Sequence, residues 1–335
     1  MKSLPTALKA LALALMLTFA GGLQVVEAQQ APNPTAQSVR EDQLLQALKP
    51  GAAVSGRITI PDSKASTLIR PENQSWTAFH QGRLQTIGAV ALIGTVALLA
   101  IFLLVRGRIR VDAGFSGRTV TRFGGVERFI HWITAGCFIV LALTGLNLTF
   151  GKTIVLPLFG EATFAMLAGW GKIAHNYLSF PFMAGVLLML VVWVRDNIPG
   201  KLDWEWIKAG GGIFTKGSHP PAPRFNAGQK GIFWIVIIGG AAMSFSGWHL
   251  LFPFADSPNV ADQQFWVNVH AVGAMLFIAV MIAHAYIGSV GMEGAFDAMG
   301  SGQVDENWAK EHHALWLEEE KARQNRAPPG AVPAE

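Results

Sequence analysis

Five stretches of the chain lose their polar residues for long enough to cross a bilayer, at approximately 86–105, 129–150, 173–194, 231–251 and 265–288. A hydrocarbon core of about 30 Å takes roughly 20 helical residues at 1.5 Å each, so each stretch predicts a transmembrane helix. An all-α membrane protein follows, because helices satisfy their own backbone where lipid offers no partner. A shorter apolar run, Leu8 to Ala20, follows Lys2 and precedes Val26-Glu27-Ala28, the small-x-small form that a signal peptidase accepts. Residues 1–28 therefore read as a removable export signal, since an uncleaved anchor wants a longer apolar core. Residues 29–85 are rich in Gln, Pro, Ser and Ala and include the extended-looking piece Gly56 to Pro61. They form an exported arm, and composition leaves open whether it binds a partner or tethers.

The basic residues orient the spans. Arg106, Arg108, Arg110, Arg118, Arg122 and Arg128 lie between the first and second, and Arg195, Lys201, Lys208, Lys216, Arg224 and Lys230 between the third and fourth. In contrast, 151–172 holds only Lys152 and Lys172, and 252–264 holds neither Lys nor Arg. Loops rich in Lys and Arg stay in the cytoplasm. Residues 106–128 are thus a basic cytoplasmic loop, the mature N-terminus is outside, as an export signal requires, and the C-terminus is inside. The tail, 291–335, is acidic and sets Trp308, His312, Leu315 and Trp316 at helical spacing. It reads as a cytoplasmic amphipathic helix whose stripe faces the membrane surface or a partner, its acidity arguing against anionic lipid.

Composition agrees: 51% of the 335 residues are hydrophobic and only 14% charged, too greasy for an ordinary soluble domain. The net charge of +4 is concentrated in those two loops, and nucleic acid is not indicated. The single cysteine, Cys137, excludes a disulfide framework, a four-cysteine zinc site and an iron–sulfur cluster built from this chain alone. Any metal chemistry must lean on histidine.

Four histidines lie within or at the ends of spans, where an unpaired imidazole is costly. With the topology above, His131 is at the inner start of the second span and His175 at the outer start of the third, while the fifth span carries His270 near its outer end and His284 near its inner end. The depths pair His175 with His270 and His131 with His284. His270 and His284 are 14 residues apart, close to four turns, so both imidazoles share one helix face roughly 20 Å apart. One helix serves two stacked sites. Two axial imidazoles per site suit a b-type haem with no open coordination position, hence electron transfer, whereas zinc gathers three or four ligands at one point. His249, at the outer end of the fourth span, competes with His175 and is read as a hydrogen-bonding interfacial residue beside Trp248. His80, His219, His312 and His313 lie outside the spans and are taken as non-ligands. Gly145, Gly185, Gly239, Gly240 and Gly273 suit a flat macrocycle or direct helix packing equally, and Pro181 is expected to bend the third span.

The ordered set Glu127-Arg-Phe-Ile-His131-Trp132, Lys172-Ile-Ala-His175, Asn197-Ile-Pro-Gly-Lys201, Phe225-Asn-Ala-Gly-Gln-Lys230, Val269-His270 with His284, and Trp308-Ala-Lys-Glu-His-His313 resembles the cytochrome b (gamma) subunit of membrane-bound respiratory formate dehydrogenases, from about residue 120 to 316. The resemblance implies a four-helix transmembrane dihaem bundle at 129–290, with 86–105 as one additional N-terminal helix, in a bacterial inner membrane. It implies two haem b groups on the histidine pairs above. It also implies a quinone, menaquinone or ubiquinone, reduced beside the inner haem with contacts from Asn226, Gly228, Gln229 and His284. The implied partners are an iron–sulfur subunit and a molybdenum- or tungsten-containing catalytic subunit, which itself oxidises formate. The signal, the arm and the extra helix have no counterpart in shorter members, and no functional residue transfers to them. A cytochrome b of a nickel–iron hydrogenase or thiosulfate reductase would use the same bundle and ligands, and co-purifying subunits separate these. A haem-free membrane anchor or transporter is the reading of another class, which an optical spectrum without b-type bands would favour.

Overall fold

The computed structural model describes residues 76–212, 219–253 and 259–326, all within the compact unit Ile69–Glu335. The export signal and nearly all of the arm lie outside the described residues. Among the described residues, five helices are long and apolar enough to cross a membrane. The first is helical from Trp76 to Arg106, opening with a wide turn at Phe79–Arg83 before α1 (Leu84–Arg106). It is therefore already helical about ten residues ahead of the expected span, inside the stretch read as arm. The others are α2 (Gly125–Phe150), α3 (Val155–Trp193), α5 (Ala227–Leu251) and α6 (Val260–Tyr286), which runs on through Ile287–Gly291. A short helix, α4 (Lys201–Lys208), joins α3 to α5. After α6 come α7 (Asp297–Gly300), α8 (Glu306–His312) and α9 (Ala314–Arg326). The expectation of an all-helical protein is met except for two three-residue strands, β1 (Thr119–Thr121) and β2 (Gln303–Asp305), which pair antiparallel with Val120 opposite Val304.

The long helices begin where side chains satisfy their free amides. Glu127 accepts from the Gly124 amide (3.0 Å) at the start of α2, and Asn259 accepts from the Asp262 amide (2.8 Å) at the start of α6. The most extensive packing is α2 along α3; α5 packs on α3 and α6, and α1 lies on the outer side of α6. Small residues set the closest approaches. A Cβ on Gly185 would collide with Thr134 Oγ1, and one on Gly240 would stand 2.9 Å from Val186 Cγ2, so these two glycines serve direct helix packing. At Gly88, a Cβ would come within 2.9 Å of both Met275 Sδ and Phe150 Cζ, which seats α1 on the bundle. Much of the remaining surface of α1 is exposed, with Leu104 and Val105 at 85% and 84%. An apolar surface of that extent belongs in lipid.

One expectation about α3 and one about the tail are corrected. Helix α3 spans 39 residues and takes in most of the connection 151–172 expected as a loop. The one departure from helical φ/ψ inside it is at Gly160 (φ 80°, ψ 172°), where the left-handed region admits glycine without a Cβ clash, and Pro181 lies further along the same helix. The tail is not one amphipathic helix. It breaks at His313 (φ −149°, ψ 49°) between α8 and α9, and Trp308, Ala309, His313, Trp316 and Leu317 are buried. These side chains pack with Val120, Phe123, Phe225 and Val304 as a cap over one end of the bundle. The stripe faces the protein itself.

Candidate haem-binding sites

Helix α6 sets the spacing of the site: His270 and His284 stand 14 residues apart on it, roughly 20 Å along the axis. Away from the cap, His270 faces His175 of α3 with ring centroids 6.2 Å apart and planes at 70°. At the capped end, His284 faces His131 of α2 at 6.4 Å and 61°. The pairing inferred from depth is the pairing in space. Metal–imidazole bonds of about 2 Å, with each ring centre about 1 Å behind its nitrogen, space two axial imidazoles by roughly 6 Å. Both pairs have that spacing, so both fit an iron held between two imidazoles. Among the described residues, no three His, Cys, Asp or Glu side chains converge to hold a bare ion.

The pair away from the cap is aimed by hydroxyls. Thr144 Oγ1 donates to the Val140 carbonyl (2.8 Å) and lies 2.8 Å from His175 Nδ1; Ser246 Oγ donates to the Ala242 carbonyl (2.7 Å) and lies 2.9 Å from His270 Nδ1. Each hydroxyl has spent its hydrogen, so it accepts from the imidazole. Nδ1 thus carries the proton in both rings, leaving Nε2 as the free ligand atom, which is how outer groups fix a metal-binding histidine. Glycines make room beside these rings. A Cβ on Gly145 would lie 3.6 Å from His175 Cε1, and one on Gly247 would lie 3.3 Å from His270 Cε1.

The capped pair is held differently. His131 meets the edge of Trp132 (5.0 Å, 88°), and its Nδ1 is buried without a hydrogen-bond partner among the described residues. Trp132 Nε1 donates to the Met299 carbonyl (2.8 Å), and Arg128 donates to the Met299 and Gly300 carbonyls (3.3 and 2.7 Å). The cap therefore grips the two residues that flank His131 by one and three positions.

The remaining histidines stand apart from the pairs. His249 stacks flat on Trp266 (4.3 Å, 2°) with Phe245 at its edge, and its Nδ1 is buried without a hydrogen-bond partner among the described residues. His219 pairs with Asp112 (3.2 Å), and His80 stacks on Trp76 (5.0 Å). His312 lies against Trp308, while His313 is fully buried in the cap. Of the residues expected at a quinone, Asn226 and Gln229 form a reciprocal cap on α5: Asn226 Oδ1 accepts from the Gln229 amide (3.0 Å) and Gln229 Oε1 from the Asn226 amide (3.1 Å). At Gly228, a Cβ would stand 3.0 Å from Trp206 Cη2. No hydrogen bond joins this group to His284. Sequence reasoning missed Thr144, Ser246, Gly247 and Trp206. The two hydroxyls were open to discovery as polar groups inside apolar spans.

Two imidazole pairs on a bundle of four membrane-length helices define a membrane cytochrome b. The chain belongs to the prokaryotic cytochrome b561 family, whose profile matches residues 122–302. It is 30% identical over 203 residues to the formate dehydrogenase cytochrome b556(fdo) subunit of Escherichia coli K12, covering 60% of this chain and 93% of that protein. It is 27% identical over 210 residues to the nitrate-inducible formate dehydrogenase cytochrome b556(Fdn) subunit of the same strain, at 61% and 94% coverage. With the formate dehydrogenase cytochrome b556 subunit of Haemophilus influenzae it shares 27% identity over 202 residues, at 58% and 80%. The matched family region begins at Arg122, so the first helix lies outside it and the other four within.

Proposed function

We propose that this chain is the electron-transfer and quinone-reducing subunit of a formate dehydrogenase complex, holding one haem b between His175 and His270 and another between His131 and His284. The observation that carries the reading is that both pairs stand at bis-imidazole spacing and share α6. Held by these imidazoles, haem b would supply a one-electron couple suited to electron transfer rather than oxygen chemistry. Formate oxidation belongs to a molybdenum- or tungsten-containing subunit, and an iron–sulfur subunit delivers electrons at the end away from the cap. That its relatives are cytochrome b556 subunits of formate dehydrogenases supports a place for this chain in such a complex.

The capped end faces the cytoplasm of a bacterial inner membrane in this reading. Arg108, Arg110, Arg118 and Arg122 precede α2 there, and Lys201 and Lys208 bound α4, the distribution of basic residues that membrane insertion favours inside. Quinone, menaquinone or ubiquinone, is reduced at this end by contacts from Asn226, Gly228, Gln229 and His284. The reciprocal cap engages the carbonyl oxygens of Asn226 and Gln229, leaving each amide NH2 to donate to a quinone carbonyl. His284→Ala tests the assignment. It is expected to abolish quinone reduction while formate oxidation by an artificial acceptor persists, and undiminished quinone reduction would contradict it.

A further inference from the structure

The loop that enters α5 is held by residues that neither histidine pair uses. Residues 219–226 form no helix or strand, so their carbonyls need partners from elsewhere. His313 Nδ1 lies 3.0 Å from the Pro223 carbonyl, and Arg122 Nη2 donates to the Arg224 carbonyl (2.5 Å). Arg224 returns the contact, its guanidinium donating to the Arg122 carbonyl (3.2 Å), to both Glu127 oxygens (2.8 and 3.0 Å) and to Asp196 (2.9 Å). Phe225 is buried against Phe123 and Trp193. The next residue is Asn226.

Hydrogen-bond roles at His313 are fixed by its neighbours. Arg122 Nη2 stands 3.0 Å from His313 Nε2 and can only donate, so Nε2 accepts and Nδ1 carries the hydrogen given to Pro223. The ring is neutral and uses both nitrogens. Arg122 is itself buried at 3% exposure, with Nε and Nη1 lacking acceptors among the described residues. Its guanidinium lies over the rings of Trp316 (4.9 Å), Phe123 (5.2 Å) and Trp308 (5.5 Å). The tail thus supplies two walls of an aromatic cage and, in His313, a side chain that ties this cage to the loop.

We propose that His313, backed by Arg122, is a positioning residue for quinone reduction: the C-terminal tail clamps Pro223–Phe225 and thereby aims Asn226 and Gly228 at the acceptor. This rests on the quinone site proposed above. The clamp also sets a direction of pH dependence. Protonating His313 turns Nε2 into a donor facing the donors of Arg122, so acid opens the clamp. Burial and the neighbouring Arg122 hold His313 well below the ordinary histidine value of 6.5. His312 of α8, beside it, is lowered to about 4, by burial first and then by His219 and Arg122 against Asp112. The other charges acting on Arg122 are Arg224 and Glu127. Because the folded-state value is depressed, the stability from the neutral ring is complete above pH 6.5 and is lost progressively as pH falls below it.

The test uses the purified holo-complex with decylubiquinone as acceptor. His313→Ala removes both bonds, His313→Asn keeps a donor for Pro223, and His313→Gln keeps an acceptor for Arg122. His313→Ala should raise KM for decylubiquinone about fivefold, the factor for one lost hydrogen bond, with the b-haem spectrum and formate-to-dye activity unchanged. Asn and Gln should each recover part of the loss. Hydrogen–deuterium exchange at 219–226 should quicken in His313→Ala, which reads the clamp whatever the acceptor. Unchanged KM and unchanged exchange in His313→Ala would overturn the proposal. If His313→Ala fails to assemble, unchanged KM and unchanged exchange in both His313→Asn and His313→Gln overturn it instead. A wild-type complex lacking b-haem bands or decylubiquinone reduction would refute the quinone site and, with it, the positioning role, whereas normal wild-type reduction with unaltered variants refutes the positioning role alone.

Discussion

The two histidine pairs have nearly the same spacing and are held in opposite ways. At His175 and His270 each Nδ1 hydrogen is received by a hydroxyl on a neighbouring helix, so the imidazoles are aimed by α2 and α5 themselves. At His131 no such hydroxyl is present among the described residues, which leave its Nδ1 buried and unpaired, and the ring meets the edge of Trp132, which is tied to the cap through Met299. The first pair is set by the bundle and the second by what is folded over it. A site built into helices is preorganised, whereas a site dependent on a cap responds to that cap. The responsive pair is the one adjoining the proposed acceptor.

The largest effects should come from removing one ligand of each pair. His270→Ala should leave the capped site unreduced by formate yet still reducible by quinol, while His131→Ala should leave the other site reducible by formate and stop quinone reduction. Reduced-minus-oxidised spectra with each reductant check both, and identical spectra for the two variants would erase the distinction. Trp132→Ala cuts the tie to Met299 and should lower haem occupancy at the capped pair severalfold without touching the other, as EPR of the oxidised low-spin signals would reveal. The smallest effect is electronic. Thr144→Val or Ser246→Ala keeps the shape but removes the acceptor of Nδ1–H, weakening the imidazole as a donor. A net hydrogen bond of about 0.5–1.5 kcal/mol corresponds to a rise of roughly 20–60 mV in the potential of that site alone. A redox titration in which the capped site moves instead would contradict the comparison.

Much of this was legible in the sequence because it depends on periodicity. Loss of polar residues over span lengths disclosed all five membrane helices, and the 14-residue interval between His270 and His284 disclosed a shared face. What escaped depends on distant contacts. Trp308, His312, Leu315 and Trp316 suggested a continuous stripe, but the break at His313 shifts the buried set to Trp308, Ala309, His313, Trp316 and Leu317. Its partners, Arg122 and Pro223, are 191 and 90 residues away in the chain, beyond the reach of local spacing. Thr144 and Ser246 were passed over because a hydroxyl in a membrane helix ordinarily bonds back to its own backbone. Both do so, and that bond fixes their orientation towards the imidazoles. The helical turns that run from Trp76 into α1 were missed because the polar residues His80, Gln81, Arg83 and Gln85 mask a helix that precedes the apolar run.

The central claim is that each histidine pair holds its own haem. Pyridine haemochrome analysis of the purified complex, set against the amount of this chain, tests it most directly. Two haem b per chain are predicted, falling to one in His131→Ala and to one in His270→Ala. A single haem in the wild-type protein, or two in either variant, would contradict the account.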